Sequence, residues 1–276
     1  MTMYRTAVLS DISTIGNCSG SVNIAVMSAM GVEACLIPTA VLSAQTGFQK
    51  YSFIDMSAYL SEFTENVCAV VPDFDAVCVG FMSSTESFKA ANKLVESFPG
   101  AVLVVDPISG DSGKRFDFMT DEMYSELTKL AHKADIITPN ITELCLLTNN
   151  DYHMLMTLEQ NDLIEKITQI CKNYISEYGG IVVVTGIDCG DYIVNVTADS
   201  ERVTIGKSLR YGGSMSGTGD ILTSIVCAAA AKKGDIHSAV ALAGEFISEV
   251  MKDADTGVDR NFGTPYQSKL SMIVNS

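Results

Sequence analysis

The chain is poor in the residues on which several kinds of function depend. Bases number 18 against 33 acids over 276 residues, a formal charge of −15. With no basic excess to meet phosphates, a protein that lives on nucleic acid or on an anionic membrane is disfavoured, although a local nucleotide pocket is not. Three histidines and no CxxC pair leave little from which to build a zinc site. The longest helical apolar stretch, from Ile221 to Ala231, falls short of the roughly 20 residues that a bilayer span needs. The opening MTMYRTAVLSDIS carries one base and a short apolar run, which is not a signal-peptide pattern. Two nucleotide signatures are also missing: there is no GxxxxGK[ST] phosphate loop and no strand–GxGxxG–helix fingerprint. A nucleotide site here has to be built another way.

Hydrophobic residues make up 47% of the chain, which suits a substantial core. The eight cysteines are scattered, and several (Cys78, Cys171, Cys227) lie inside apolar runs. They read as reduced core fillers of a cytoplasmic protein.

Apolar runs of strand length alternate with amphipathic stretches. Strands are expected at Thr6–Ser10, Val32–Pro38, Ala76–Gly80, Ala101–Asp106, Ile136–Thr138 and Ile181–Thr185, with a hairpin over Tyr192–Thr197 and Arg202–Ile205. Helices are expected at Gly20–Met30, Met56–Val67 behind Asp55, Ser83–Phe98, Asp121–His132, Ile141–Leu147, Leu158–Tyr178, Asp220–Lys232 and Ile236–Val250. Ser83 with Glu86, and Thr157 with Gln160, have capping-box spacing. Strand–helix alternation with β-branched strands argues for an α/β fold with a mostly parallel sheet covered on both faces. No linker or repeat divides it, so residues 1–276 read as one domain. In such sheets ligands sit beyond the carboxyl ends of the strands.

The most informative stretch is Gly217-Thr218-Gly219-Asp220, at the head of an apolar helix. The first N–H groups of a helix lack internal partners, and the helix dipole makes that end electropositive, so it can hold phosphate where glycines leave clearance. A carboxylate beside phosphate is costly unless it has a task, and taking a proton from an attacking hydroxyl is one. That reading is a small-molecule kinase. The plainer alternative makes Asp220 a helix-start residue on a glycine turn. Strand ends carry further polar residues: Ser10-Asp11, Asp106-Pro107 followed by Gly110-Asp111, Thr138-Pro139-Asn140 with Glu143 one turn on, and Thr185-Gly186. Asn140 and Glu143 are also spaced as an N-cap and its N3 partner, and Ser10 and Thr46 can be plain loop hydroxyls.

The segments SDISTIGNCS (Ser10–Ser19), SAMGVEACLIPTAVLSAQTG (Ser28–Gly47), DPISGDSGK (Asp106–Lys114), ITPNITE (Ile137–Glu143) and GTGD (Gly217–Asp220) together resemble the pyridoxal kinases of the ribokinase-like superfamily. The likeness covers most of the chain in order. It implies a three-layer α/β/α sandwich and ATP-dependent phosphorylation of a hydroxymethyl group on a pyridine ring. By that resemblance Asp220 is the base, and Gly217, Thr218 and Gly219 form the anion hole. Ser10 and Thr46 contact the vitamin B6 ring. Asp106, Asp111 and Glu143 lie near the ATP phosphates, with Asp106 and Glu143 toward Mg²⁺, while Thr138 and Thr185 line the nucleotide path. A homodimer is implied, and a monovalent cation beside ATP and Mg²⁺ is left open.

Two features depart from the family pattern. Gly16–Ser21 is less bulky than its usual counterpart, and Gln45 stands where many relatives carry histidine. Both bear on which vitamer is preferred. The nearest rival is a hydroxymethylpyrimidine (or its phosphate) kinase of thiamin synthesis, many of which place cysteine at the position of Asp220. A rival of another class is a non-catalytic relative that binds B6 or nucleotide.

Overall fold

The computed structural model describes residues 3–254, 257–274 and 276. Strand β1 (Tyr4–Ser13) leads through helix α1 (Ser19–Ala29) to β2 (Val32–Leu42), and β3 (Phe53–Asp55) turns back against it. Helix α2 (Ser57–Val70), β4 (Ala76–Val79), α3 (Thr85–Ser97) and β5 (Val102–Val105) follow. A small hairpin of β6 (Gly110–Asp111) and β7 (Lys114–Arg115) precedes α4 (Asp121–Ala131). Next come β8 (Ile136–Ile137), α5 (Ile141–Thr148), α6 (Tyr152–Leu155), α7 (Gln160–Tyr178), and then β9 (Ile181–Cys189), β10 (Tyr192–Ala198) and β11 (Val203–Leu209). Helices α8 (Thr218–Ala231) and α9 (Ile236–Lys252) and two 3-10 turns, Arg260–Phe262 and Tyr266–Ile273, complete the chain.

Among the described residues, nine strands share one sheet in the order β11-β10-β9-β8-β5-β4-β1-β2-β3. The stretch from β9 to β2 is parallel, β3 is an antiparallel edge, and β10 and β11 continue the other side as antiparallel neighbours. Strand side chains alternate between two cores. Ala7 and Leu9, Val77 and Val79, and Leu103 and Val105 join Leu60, Phe88, Leu127, Leu144 and Ile167 of α2, α3, α4, α5 and α7. Val8, Cys78 and Val104 face the opposite way, onto Val22, Ile225 and Val240 of α1, α8 and α9. Each fully buried aliphatic side chain contributes about 1.5–3 kcal/mol of transfer free energy, which fixes the helices on both faces. The result is the expected α/β/α sandwich of the ribokinase-like kind.

The departures are local. The capping box of α3 is Ser84 with Ser87, not Ser83 with Glu86. The Ser83 hydroxyl is drawn instead to the carbonyl of Thr39 (3.1 Å) and the carboxylate of Asp55 (3.0 Å). Thr157 does not cap α7, because its hydroxyl donates 2.7 Å to the carbonyl of Met154 in the short helix α6. The cysteines are all free, six of them buried. Among the described residues no helix is long and apolar enough to cross a membrane.

Candidate active site

The carboxyl ends of β1, β4, β5, β8 and β9 lie on one edge of the sheet, and the N-terminus of α8 meets them there. The contact is direct: Thr138 Oγ1, past the end of β8, lies 2.9 Å from Thr223 Oγ1 on α8, and Thr223 donates to Asp106 Oδ2 at 3.2 Å, past the end of β5. Thr223 sits three residues after Asp220, on the same side of the helix.

The two glycines of the turn differ. Gly217 precedes α8 with φ at +91°, and a β-carbon there would collide with the carbonyl oxygen of Asn17. At Gly219 nothing lies within 4 Å of the β-carbon position. Its free side opens on a cleft of about 240 Å³, walled by β9–β11 on one side and α8 and α9 on the other. A helix start bordering an open volume is an anion site in form.

Asp220, half-buried, accepts the backbone N–H of Ser19 at the head of α1. Its pKa is pushed up to about 6, first by burial, with a further contribution from Asp11 that the Ser19 N–H opposes. Asp106 is raised to about 7 by burial and then by the charge of Asp220, against the bond from Thr223. Glu143, 4% exposed, is raised well above the usual carboxylate range by burial and by Asp106. Backbone N–H groups of Asn140 (2.9 Å) and Ser109 (3.2 Å) oppose that rise. Asp11, Asp220, Asp106 and Glu143 thus form a row in which each acid raises the next. Such a row suits a site that receives cationic charge with its ligand.

Glu143 and Asn140 form the reciprocal capping box of α5, and Asn140 also donates to the carbonyl of Gly110 at 3.0 Å. This braces the loop after β5 against the end of β8. Thr185 is tied to the same strand end by its N–H, 2.9 Å from the carbonyl of Pro139. Asp111 is exposed on the β6–β7 hairpin, accepting the Ser112 N–H at 2.7 Å. Among the described residues no three Asp, Glu, His or Cys side chains converge to cage a metal. Mg²⁺ is ordinarily held by one or two carboxylates together with substrate phosphates, so half-buried Asp106, a hard oxygen donor where the sheet edge meets α8, fits that ion.

On the other side of Asp220, Ser10 is buried beside Gly80, and Asp11 accepts from Ser13 Oγ at 3.1 Å. The Cys18 thiol is pushed up to about 12 by burial and by Asp220 and Asp11, so it stays protonated there. Thr46 is exposed on the loop between β2 and β3. Its neighbour Gln45 turns inward, and Nε2 donates to Asn261 O (3.0 Å), Asn261 Oδ1 (3.1 Å) and Ser216 Oγ (3.3 Å). The β2–β3 loop is therefore fastened to the residue just before Gly217.

The structure thus gathers Ser10, Asp106, Thr138, Glu143, Thr185 and Gly217–Asp220 on one sheet edge, with Asp111 and Thr46 on loops at its rim. Sequence reasoning missed Thr223, although its helical spacing from Asp220 was readable. It also missed Phe81, half-buried past β4 with its ring 5.4 Å from that of Phe118, and the β10 wall of the cleft around Asn195. A lone asparagine inside the apolar run of β10 was the one available signal for the latter.

Known proteins give a consistent placement. The family model described as phosphomethylpyrimidine kinase matches residues 21–264. The thiamine biosynthetic bifunctional enzyme TH1 of Arabidopsis thaliana is 26% identical over 228 residues, covering 82% of this chain and 42% of that protein. Pyridoxal kinase PdxY of Aliivibrio fischeri is 30% identical over 165 residues, covering 55% of this chain and 57% of that one. The chain thus spans about half the length of these relatives. A solved Bacteroides thetaiotaomicron structure, provisionally described as a phosphomethylpyrimidine kinase and determined with pyridoxal, superposes with a TM-score of 0.88 at 24% identity, covering 100% of this chain and 96% of that one. With a fold of the ribokinase-like kind and a family match over most of its length, the chain belongs to the phosphomethylpyrimidine kinase family.

Proposed function

We propose that this protein transfers the γ-phosphoryl group of ATP to the 5′-hydroxymethyl group of a vitamin B6 vitamer (pyridoxal, pyridoxine or pyridoxamine). The observation that carries the reading is the position of Asp220. It stands in the first turn of α8, next to Gly219 at the open cleft and close enough to Asp11, in β1, for the charge of Asp11 to raise its pKa.

Phosphoryl transfer asks mainly for in-line positioning and charge neutralisation. In this reading the N–H groups of Gly217–Gly219 hold the migrating phosphoryl, and Asp220 takes the proton from the attacking hydroxyl oxygen. A pKa of about 6 leaves Asp220 mostly ionised at neutral pH and a better proton acceptor than an ordinary aspartate. Mg²⁺, when bound, neutralises phosphate charge, with Asp106 holding it and Glu143 acting at one remove. Thr138, Thr185 and Asp111 line the phosphate path, and Ser10, Thr46 and Phe81 border the acceptor ring. We take residues 1–276 as one kinase domain that works as a homodimer in the cytoplasm.

A second reading keeps the chemistry and changes the ring to hydroxymethylpyrimidine. The family model supports it, since it is described as phosphomethylpyrimidine kinase and matches residues 21–264. Acceptor-dependent ADP release with pyridoxal, pyridoxine, pyridoxamine and hydroxymethylpyrimidine tests both. The first reading expects a B6 vitamer to be used most efficiently, by kcat/KM. Preference for the pyrimidine replaces it with the second. No ADP with any acceptor leaves a binding protein.

A further inference from the structure

Helix α1 holds Asp220 by both its side chain and its backbone. The backbone N–H of Ser19, at the head of α1, meets the carboxylate. One turn further along α1, Asn23 Nδ2 donates to Ser224 Oγ at 2.8 Å. Ser224 stands one turn beyond Asp220 on α8, and its hydroxyl donates to the Asp220 carbonyl at 2.6 Å. A serine hydroxyl has a single proton, and the Asp220 carbonyl takes it. Only lone pairs remain for Asn23, which fixes its Nδ2 toward Ser224 and its Oδ1 away.

The fold alone does not call for this strut. Asn23 is 4% exposed and Ser224 is fully buried, and the layer around them is aliphatic, with Val22 and Val26 of α1 against Ile221 and Ile225 of α8. Asn23 Oδ1 is buried with no partner among the described residues. A buried polar atom left unpaired destabilises a fold, whereas an apolar pair of similar shape would not. A second strain lies at Ser19, whose φ of +52° is in the left-handed region that a residue with a β-carbon rarely adopts. That same residue supplies the N–H accepted by Asp220. Strained backbone of this kind persists where the surrounding structure over-determines it, as it does around groups held for a task.

We infer that Asn23 and Ser224 are positioning residues for Asp220: their strut sets α1 against the first turn of α8 and so aims the Asp220 carboxylate at the acceptor hydroxyl. Neither side chain touches substrate. An ångström of misplacement at a reacting group lowers a rate by about 10²-fold, and loss of the strut permits part of that. This rests on the reading of Asp220 as the base.

The test is steady-state kinetics of the full chain with Mg²⁺ and ATP, using the ring alcohol that wild type uses best, beside melting curves. Asn23→Leu removes the orphaned oxygen together with the donor of the strut, and Ser224→Ala removes its hydroxyl. Each should lower kcat about tenfold and leave both KM values within about twofold of wild type. The double variant should lose no more than the worse single one, because the two side chains act as one unit. Ser224→Ala carries the test alone if Asn23→Leu does not fold. Wild-type kcat in the folded variants, with or without a lowered melting temperature, makes the pair structural and overturns the inference. Single losses that multiply in the double variant overturn it too, and either result leaves Asp220 as the base. A wild-type protein that phosphorylates no ring alcohol removes both.

Discussion

Gly217 and Asn17 are packed backbone to backbone: the carbonyl of Asn17 occupies the space where any β-carbon at 217 would go. The turn into α8 is thereby pinned to the segment between β1 and α1, which carries Cys18 and leads into Ser19 at the head of α1. The Gly217–Asp220 turn and the β1–α1 connection are built against each other.

This separates the two glycines experimentally. Gly217→Ala meets both a collision and a left-handed φ, and should destabilise the protein by several kcal/mol, read as a lowered melting temperature. Gly219→Ala meets no atom and replaces a helical glycine, so stability should hold or rise by about 0.5–1 kcal/mol. Its methyl group would instead stand where phosphate approaches, and turnover should fall roughly 10²-fold, the scale of an ångström's misplacement. Full activity in Gly219→Ala would take the phosphate away from this turn.

In the proposed role of base, Asp220 has to be ionised. With its pKa at about 6, kcat/KM should fall as the pH drops through that value. Asp11 contributes to the rise, so Asp11→Asn should move the acid limb to lower pH. An acid limb that does not move on this substitution would assign it to another group.

Asp106 has the opposite bearing on stability. Its folded pKa of about 7 lies above the ordinary value of 3.8, so the folded chain keeps a proton that the unfolded chain has released. Stability is therefore lost as pH rises between those values. Asp106→Asn should raise the melting temperature by a few degrees at pH 8 without nucleotide, and leave it unchanged near pH 4, while activity falls. A variant less stable than wild type at pH 8 would show that the ionised carboxylate is held favourably.

Glu143 places its carboxylate on the N–H groups of Asn140 and Ser109. Glu143→Ala leaves those donors unpaired, at about 1–3 kcal/mol each, and should raise the Mg²⁺ concentration needed for half-maximal activity. A lowered melting temperature with an unchanged Mg²⁺ titration would make Glu143 a cap alone.

Much of this was legible in the chain. The runs that became β5 and β9 are β-branched and buried on both faces, and the Gly217–Asp220 turn announces a helix start. What stayed hidden depends on tertiary partners. Ser83 has the spacing of a cap, yet Thr39 and Asp55, distant in sequence, claim its hydroxyl. Strands β3, β6 and β7 are too short for any periodicity to mark them. The wall around Asn195 exists because β9 slips register by one residue, and no local pattern encodes a slip.

The central claim is that the Gly217–Asp220 turn transfers phosphate to a ring hydroxymethyl oxygen. Its most direct test is single-turnover transfer of label from [γ-³²P]ATP to pyridoxal, in wild type and in Asp220→Asn. The expected result is pyridoxal 5′-phosphate from wild type, and formation slowed by at least about 10²-fold in the variant with ATP binding nearly intact. Label transferred at the wild-type rate by Asp220→Asn, or not transferred by wild type to pyridoxal or any other ring alcohol of the panel, contradicts it.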